Sequence, residues 1–127
     1  MAKILVVDDE PSIRRVVRLG LASLGHSICE AADGNEALAQ FDAVGEVDLV
    51  ITDVVMAGKD GIETLVELRK RRKDLKVLVI SGGGQVGAST YLRMAGILGA
   101  NRTLEKPFTL PDLQSAVTEM LAEAPAA

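Results

Sequence analysis

Lys3-Ile4-Leu5-Val6-Val7-Asp8-Asp9-Glu10-Pro11 is the stretch that decides the fold. After Lys3 come four apolar residues without polar alternation, the pattern of a strand covered on both faces, as in parallel sheets. Three acids follow at once, and then a proline, whose fixed φ is preorganised for the first position of a helix. The stretch reads as strand, acidic turn and helix start. Downstream, Ile13, Val16, Val17, Leu21 and Leu24 recur at helical spacing as one apolar stripe before Gly25 ends the segment.

Working outward, the same strand-then-helix unit recurs. Short apolar runs stand at Ser27–Ala31, Asp48–Thr52, Lys76–Ile80 and Arg102–Glu105, so with Lys3–Val7 there are five. Asp33 followed by Glu36 is a capping box for a second helix carrying Ala37, Leu38 and Phe41. A third helix spans Gly61–Arg72, with Ile62, Leu65, Val66 and Arg69 on one flank. Gly82–Gly84 and Gly87 delay a fourth, placed at Ala88–Leu98, and Thr109 with Asp112 caps a last helix that runs to about Leu121. Five alternating strands and helices with right-handed crossovers give an open doubly wound α/β sheet. The expected organisation is one domain over residues 1–122 and a short frayed tail, Glu123–Ala127.

Composition agrees and narrows the function classes. The chain has 127 residues, 48% hydrophobic and 25% charged, which fits one globular core and excludes low-complexity disorder. One Tyr, two Phe and no Trp leave no stacking platform for bases. The net charge of −4 repels a nucleic-acid backbone, so no direct nucleic-acid binding is expected. Arg69-Lys70-Arg71-Arg72-Lys73 reads as a solvated helix end favoured by the dipole rather than a phosphate-binding patch. A lone Cys29 excludes a disulfide framework and reads as a small core residue, while His26 beside Gly25 reads as a surface loop residue. No targeting or membrane-inserting run is visible, and a cytoplasmic location is expected.

Ligands on doubly wound sheets sit at the carboxyl ends of the strands. Those ends carry Asp8 and Asp9, Asp53, Ser81 and Lys106. Carboxylates a few ångströms apart repel by about a few kcal/mol at a protein-surface dielectric, so the set implies raised pKa values or a bound cation. Oxygen-only ligands on a shallow rim suit Mg²⁺, and Zn²⁺ is disfavoured because His26 and Cys29 lie elsewhere. A carboxylate beside a metal can attack phosphorus and form an acyl phosphate, with Lys106 sharing the charge and Ser81 sensing the product.

The chain resembles the receiver domain of two-component response regulators over essentially its whole length. The matching strings are Val6-Val7-Asp8-Asp9-Glu10, Asp33-Gly34-Asn35-Glu36-Ala37, Asp53 through Gly61, Ser81, and Lys106-Pro107-Phe108. The resemblance implies a flavodoxin-like fold with strand order 2-1-3-4-5. It implies that Asp53 accepts a phosphoryl group from a sensor histidine kinase or a histidine phosphotransfer protein. Asp8 and Asp9 would organise Mg²⁺ together with Asp53 and the backbone carbonyl of Val55, Asp9 being a direct ligand. Lys106 and Ser81 would contact the phosphoryl group, and a cis peptide would precede Pro107.

In such a stand-alone, chemotaxis-regulator-like switch, the face made by the fourth helix, fifth strand and last helix meets a downstream target protein. The resemblance implies a monomer or a phosphorylation-dependent dimer that catalyses only its own phosphorylation and dephosphorylation. This sequence departs from the pattern in three places. Thr103 occupies the usual aromatic switch position, with Tyr91 as a substitute; Ala57 stands where proline is common; Gly82–Gly84 replaces a shorter loop. These departures motivate an alternative, a degenerate receiver that binds without phosphorylation. A small aspartyl-phosphate phosphatase would need a second acid where Val55 stands, and a flavodoxin-like cofactor carrier would need a Ser/Thr-rich loop where Asp8 and Asp9 stand.

Overall fold

A computed structural model describes residues 2–53, 61–81, 102–105 and 108–122. The quoted run forms β1 (Lys3–Val7), of which only Lys3 is exposed, and Pro11 opens α1 (Pro11–Ala22). There follow β2 (Ser27–Ala31), α2 (Gly34–Val44), β3 (Leu49–Asp53), α3 (Gly61–Arg71), β4 (Lys76–Ser81), β5 (Arg102–Glu105) and α4 (Leu110–Ala122). The five strands pair in parallel in the order β2-β1-β3-β4-β5, the flavodoxin-like order.

Because side chains alternate across a strand, the sheet feeds two cores. Leu5, Val7, Val50, Val77 and Val79 face one cluster completed by Ala37 and Phe41 of α2 and by Leu65 and Leu68 of α3. Ile4, Val6, Leu49, Ile51, Leu78 and Ile80 face the other, completed by Val17 and Leu21 of α1 and by Leu113, Val117 and Met120 of α4. Burial on both faces accounts for the unbroken apolar runs of β1, β3 and β4. The edge strands β2 and β5 are only partly covered, and polar residues interrupt their apolar runs.

The helix ends follow the local chemistry. Asp33 caps α2, its carboxylate accepting the Glu36 N–H at 2.8 Å, and the Thr109 hydroxyl accepts the Asp112 N–H at 3.2 Å ahead of α4. Gly25 follows α1 with φ +91°, a value that favours glycine.

The α1 stripe is narrower than its sequence pattern. Val17, Gly20 and Leu21 are buried, whereas Val16 and Leu24 are 48% and 45% exposed. Gly20 takes part because α4 lies so close that a Cβ there would run into the Leu110 side chain. Leu68, outside the expected flank of α3, is fully buried.

Strand ends shift by one residue. Asp53 and Ser81 are the last residues of β3 and β4, and Asp48 precedes β3, where its carboxylate accepts the Lys3 N–H at 2.8 Å. The expected helix Ala88–Leu98 with Tyr91, the Val55 carbonyl, Lys106, the peptide before Pro107 and the tail 123–127 lie outside the described residues.

Candidate functional site

Register brings the acids together. Val7 pairs with Thr52, so the next residues, Asp8 and Asp53, occupy the carboxyl ends of adjacent strands. Asp53 pairs in turn with Ile80, one residue before Ser81, and Ser81 pairs with Glu105, one residue before Lys106. Three strands therefore deliver Asp8, Asp53 and the Ser81 backbone to one edge of the sheet; the Ser81 side chain and Lys106 are not among the described groups.

Burial separates the acids into two kinds. Asp8 is fully buried and Asp53 is 4% exposed, whereas Asp9 and Glu10 are exposed. Carboxylates are almost never buried to this degree without partners, because desolvating a charge is costly. Asp8 is held through its backbone and its side chain. Its N–H donates to the Ala31 carbonyl at 3.1 Å, its Oδ1 accepts the Glu10 N–H at 2.9 Å, and its carbonyl accepts from Arg14 Nη1 at 2.6 Å. A helix-capping role for Asp8 and Asp9 does not describe this geometry, since the N-cap of α1 is Glu10 and no side chain caps it.

Asp8, Asp9 and Glu10 each place a carboxylate oxygen within 4.8 Å of the others. An all-oxygen, anionic, partly solvated set of this kind suits a hard divalent cation. Glu10 and Arg14 are members of the site to which the sequence reading gave no role. The adjacency of Glu10 to the two aspartates was a usable signal. Arg14 bonds to a backbone carbonyl six residues back, and side-chain patterning carries no trace of that.

The other sequence candidates lie apart from this edge. Cys29 is half-buried on β2, its Sγ 3.6 Å from the Ile4 carbonyl, and burial raises its thiol pKa. His26 lies in the loop between α1 and β2 as expected but is half-buried there; its Nδ1 accepts the Ala2 N–H at 3.1 Å, and burial lowers its pKa. Arg71 pairs with Asp42 at 3.0 Å, Lys70 with Glu67 and Arg72 with Asp74, so three cations of the basic run face local acids. A cavity of about 390 Å³, lined by His26, Asp48, Arg72 and Lys76 among others, opens at the opposite, amino-terminal edge of the sheet.

A family model for the response regulator receiver domain matches residues 4–118. The chain belongs to this family. The receiver is 40% identical to the sensor kinase CckA of Brucella abortus over 121 residues, covering 94% of this chain and 12% of that protein. It is 38% identical to the probable transcriptional regulator Ycf27 of Cyanophora paradoxa over 120 residues, again 94% of this chain and 48% of the relative. The chain thus spans half or less of these relatives. Among solved structures, a response regulator receiver domain protein of Clostridium thermocellum superposes with a TM-score of 0.86 at 31% identity, covering 95% of this chain and 94% of the other. Receivers are signalling domains of two-component systems. No helix among the described residues is long and apolar enough to cross a membrane.

Proposed function

We propose that this receiver is a phosphorylation-controlled switch in which Asp53 accepts a phosphoryl group from a histidine kinase or phosphotransfer protein. The observation that carries the proposal is the nearly complete burial of Asp53 at the end of β3, level in register with the fully buried Asp8 that leads into the Asp9–Glu10 pair. A nucleophilic carboxylate in that position is rigid, shielded and next to a cation-binding group.

The acidic set fits Mg²⁺, with Asp8, Asp9 and Asp53 as the proposed protein carboxylates and the Val55 carbonyl completing them. When bound, the ion supplies positive charge to the transferred phosphoryl oxygens. An Asp53 oxygen attacks phosphorus as the P–N bond to the donor histidine breaks, leaving an acyl phosphate. Lys106, immediately after β5, is proposed to share the charge of that phosphate, and Ser81 at the end of β4 to bond it.

Turnover of an external substrate is not part of this reading; the chain promotes only its own phosphorylation and dephosphorylation. Phosphorylation shifts an existing equilibrium between two conformations and so changes affinity for a downstream protein. Thr103 is exposed on the edge strand β5, which leaves that strand accessible to such a partner.

The test is incubation with acetyl phosphate and Mg²⁺, followed by intact mass. One added phosphoryl group is expected, lost in Asp53→Asn and on chelation. No adduct, with phosphate release also absent, would favour a receiver that binds its partner without phosphorylation.

A further inference from the structure

We propose that Arg14 is a positioning residue for cation binding, and that Glu30 is the clamp which makes it one. The inference rests on the metal-binding reading of the acidic cluster given above. Arg14 sits near the start of α1 and sends its guanidinium back along the chain, where Nη1 donates to the Asp8 carbonyl at 2.6 Å. Its Nε stands 3.5 Å from Glu30 Oε1 on β2, and the other Glu30 oxygen is held by Arg18 Nη1 at 3.2 Å. The Arg14 side chain is only 18% exposed, so the fork is held within the fold.

A guanidinium beside a cation site needs a reason to be there. On charge alone it repels a divalent cation and weakens binding. Glu30, which Arg18 shares, offsets part of that charge, and the hydrogen bond to the Asp8 carbonyl is the contribution that favours binding. Asp8 is then fixed through its N–H by Ala31, through its carboxylate by the Glu10 N–H and through its carbonyl by Arg14. Arg14 is thus a side chain that reaches back from α1 and holds the strand-to-helix turn carrying Asp8, Asp9 and Glu10. Groups that orient ligands in this way typically change metal affinity by about 10- to 100-fold when removed.

The experiment titrates the full chain with Mg²⁺ calorimetrically and measures the Mg²⁺ half-saturation of acetyl-phosphate labelling separately from the rate at saturation. Arg14→Met is expected to raise the Mg²⁺ Kd about tenfold and to leave the saturated labelling rate within about twofold, the split that separates binding from chemistry. Glu30→Gln, which releases the clamp and leaves the guanidinium charge unopposed, is expected to weaken binding by a similar factor. Arg14→Lys, which keeps the charge and one donor, is expected to lie between wild type and Arg14→Met. Should Arg14→Met fail to fold, the Glu30→Gln and Arg14→Lys pair makes the same comparison.

Unchanged affinity in the variants, or tighter Mg²⁺ binding in Arg14→Met as a purely electrostatic role demands, overturns the inference. Absence of Mg²⁺ binding by the unaltered chain overturns the metal-binding reading and this inference with it. Retained wild-type binding beside unaffected variants overturns this inference alone.

Discussion

Asp8 and Asp53 close neighbouring strands one register step beyond the Val7–Thr52 pair, and both are buried. Two carboxylates in that relationship repel each other and have lost most of their hydration, a cost that a bound cation offsets. Replacing either by its amide removes one charge at constant shape. In chelator, Asp53→Asn and Asp8→Asn are each expected to raise stability by about 1 kcal/mol, read as a higher Tm by calorimetry. Mg²⁺ should reverse the ranking, because a ligand at 100 times its Kd stabilises the wild-type fold by about 2.7 kcal/mol. A less stable Asp53→Asn in chelator would show that the buried pair is not strained.

Gly20 lies where α1 meets α4, and a Cβ at that position would strike the Leu110 side chain. Leu110 is 38% exposed, so its terminal atoms can swing toward solvent. Replacing a mid-helix glycine by alanine gains about 1 kcal/mol of propensity, and overpacking opposes it by about 1–3 kcal/mol. Gly20→Ala alone is therefore expected to be close to neutral or slightly destabilising. In a Leu110→Ala background the clash disappears and the same change should stabilise by about 1 kcal/mol. Urea midpoints for the four proteins of this cycle decide the matter.

The same contact explains part of what the sequence hid. The continuous apolar runs of β1, β3 and β4 betrayed a sheet covered on both faces, and the Asp33 cap was legible because its chemistry is local. The site followed from scanning strand ends, and the strand order came with the family resemblance. Hydrophobic spacing alone placed Val16 and Leu24 on the buried face of α1. A glycine cannot announce that it is packed, so the true stripe through Val17, Gly20 and Leu21 was invisible. Leu68 escaped because the buried arc of α3 runs through Thr64, Leu65 and Leu68, turned away from the expected flank, where Val66 and Arg69 are only half-buried. Strand ends slipped by one at Asp53 and Ser81, because polar side chains there still make ladder bonds through their backbones.

Cys29 offers a test of the half-covered edge strand β2. Burial disfavours its thiolate, and its Sγ lies near the Ile4 carbonyl. The thiolate is the reactive form, so alkylation should be slower in the folded chain than in urea. Measured modification rates at constant pH should converge only as the chain unfolds. Equal rates in both states would mean that β2 is open to reagent.

His26 gives the fold a specific sensitivity to mild acid. Its Nδ1 accepts the Ala2 N–H at 3.1 Å, which requires an unprotonated ring nitrogen, and burial lowers its pKa below the ordinary histidine value of 6.5. The unfolded chain therefore takes up the proton before the folded chain does. Linkage fixes the sign: the contribution of His26 is fully present above the unfolded pKa and is lost as pH falls through the folded one. Urea midpoints between about pH 7.5 and pH 5 should decline in the wild type. A His26→Gln variant, which cannot titrate, should lose that part of the slope while keeping the decline that carboxylates cause at lower pH. Identical slopes in the two proteins would mean that the Ala2 contact survives protonation.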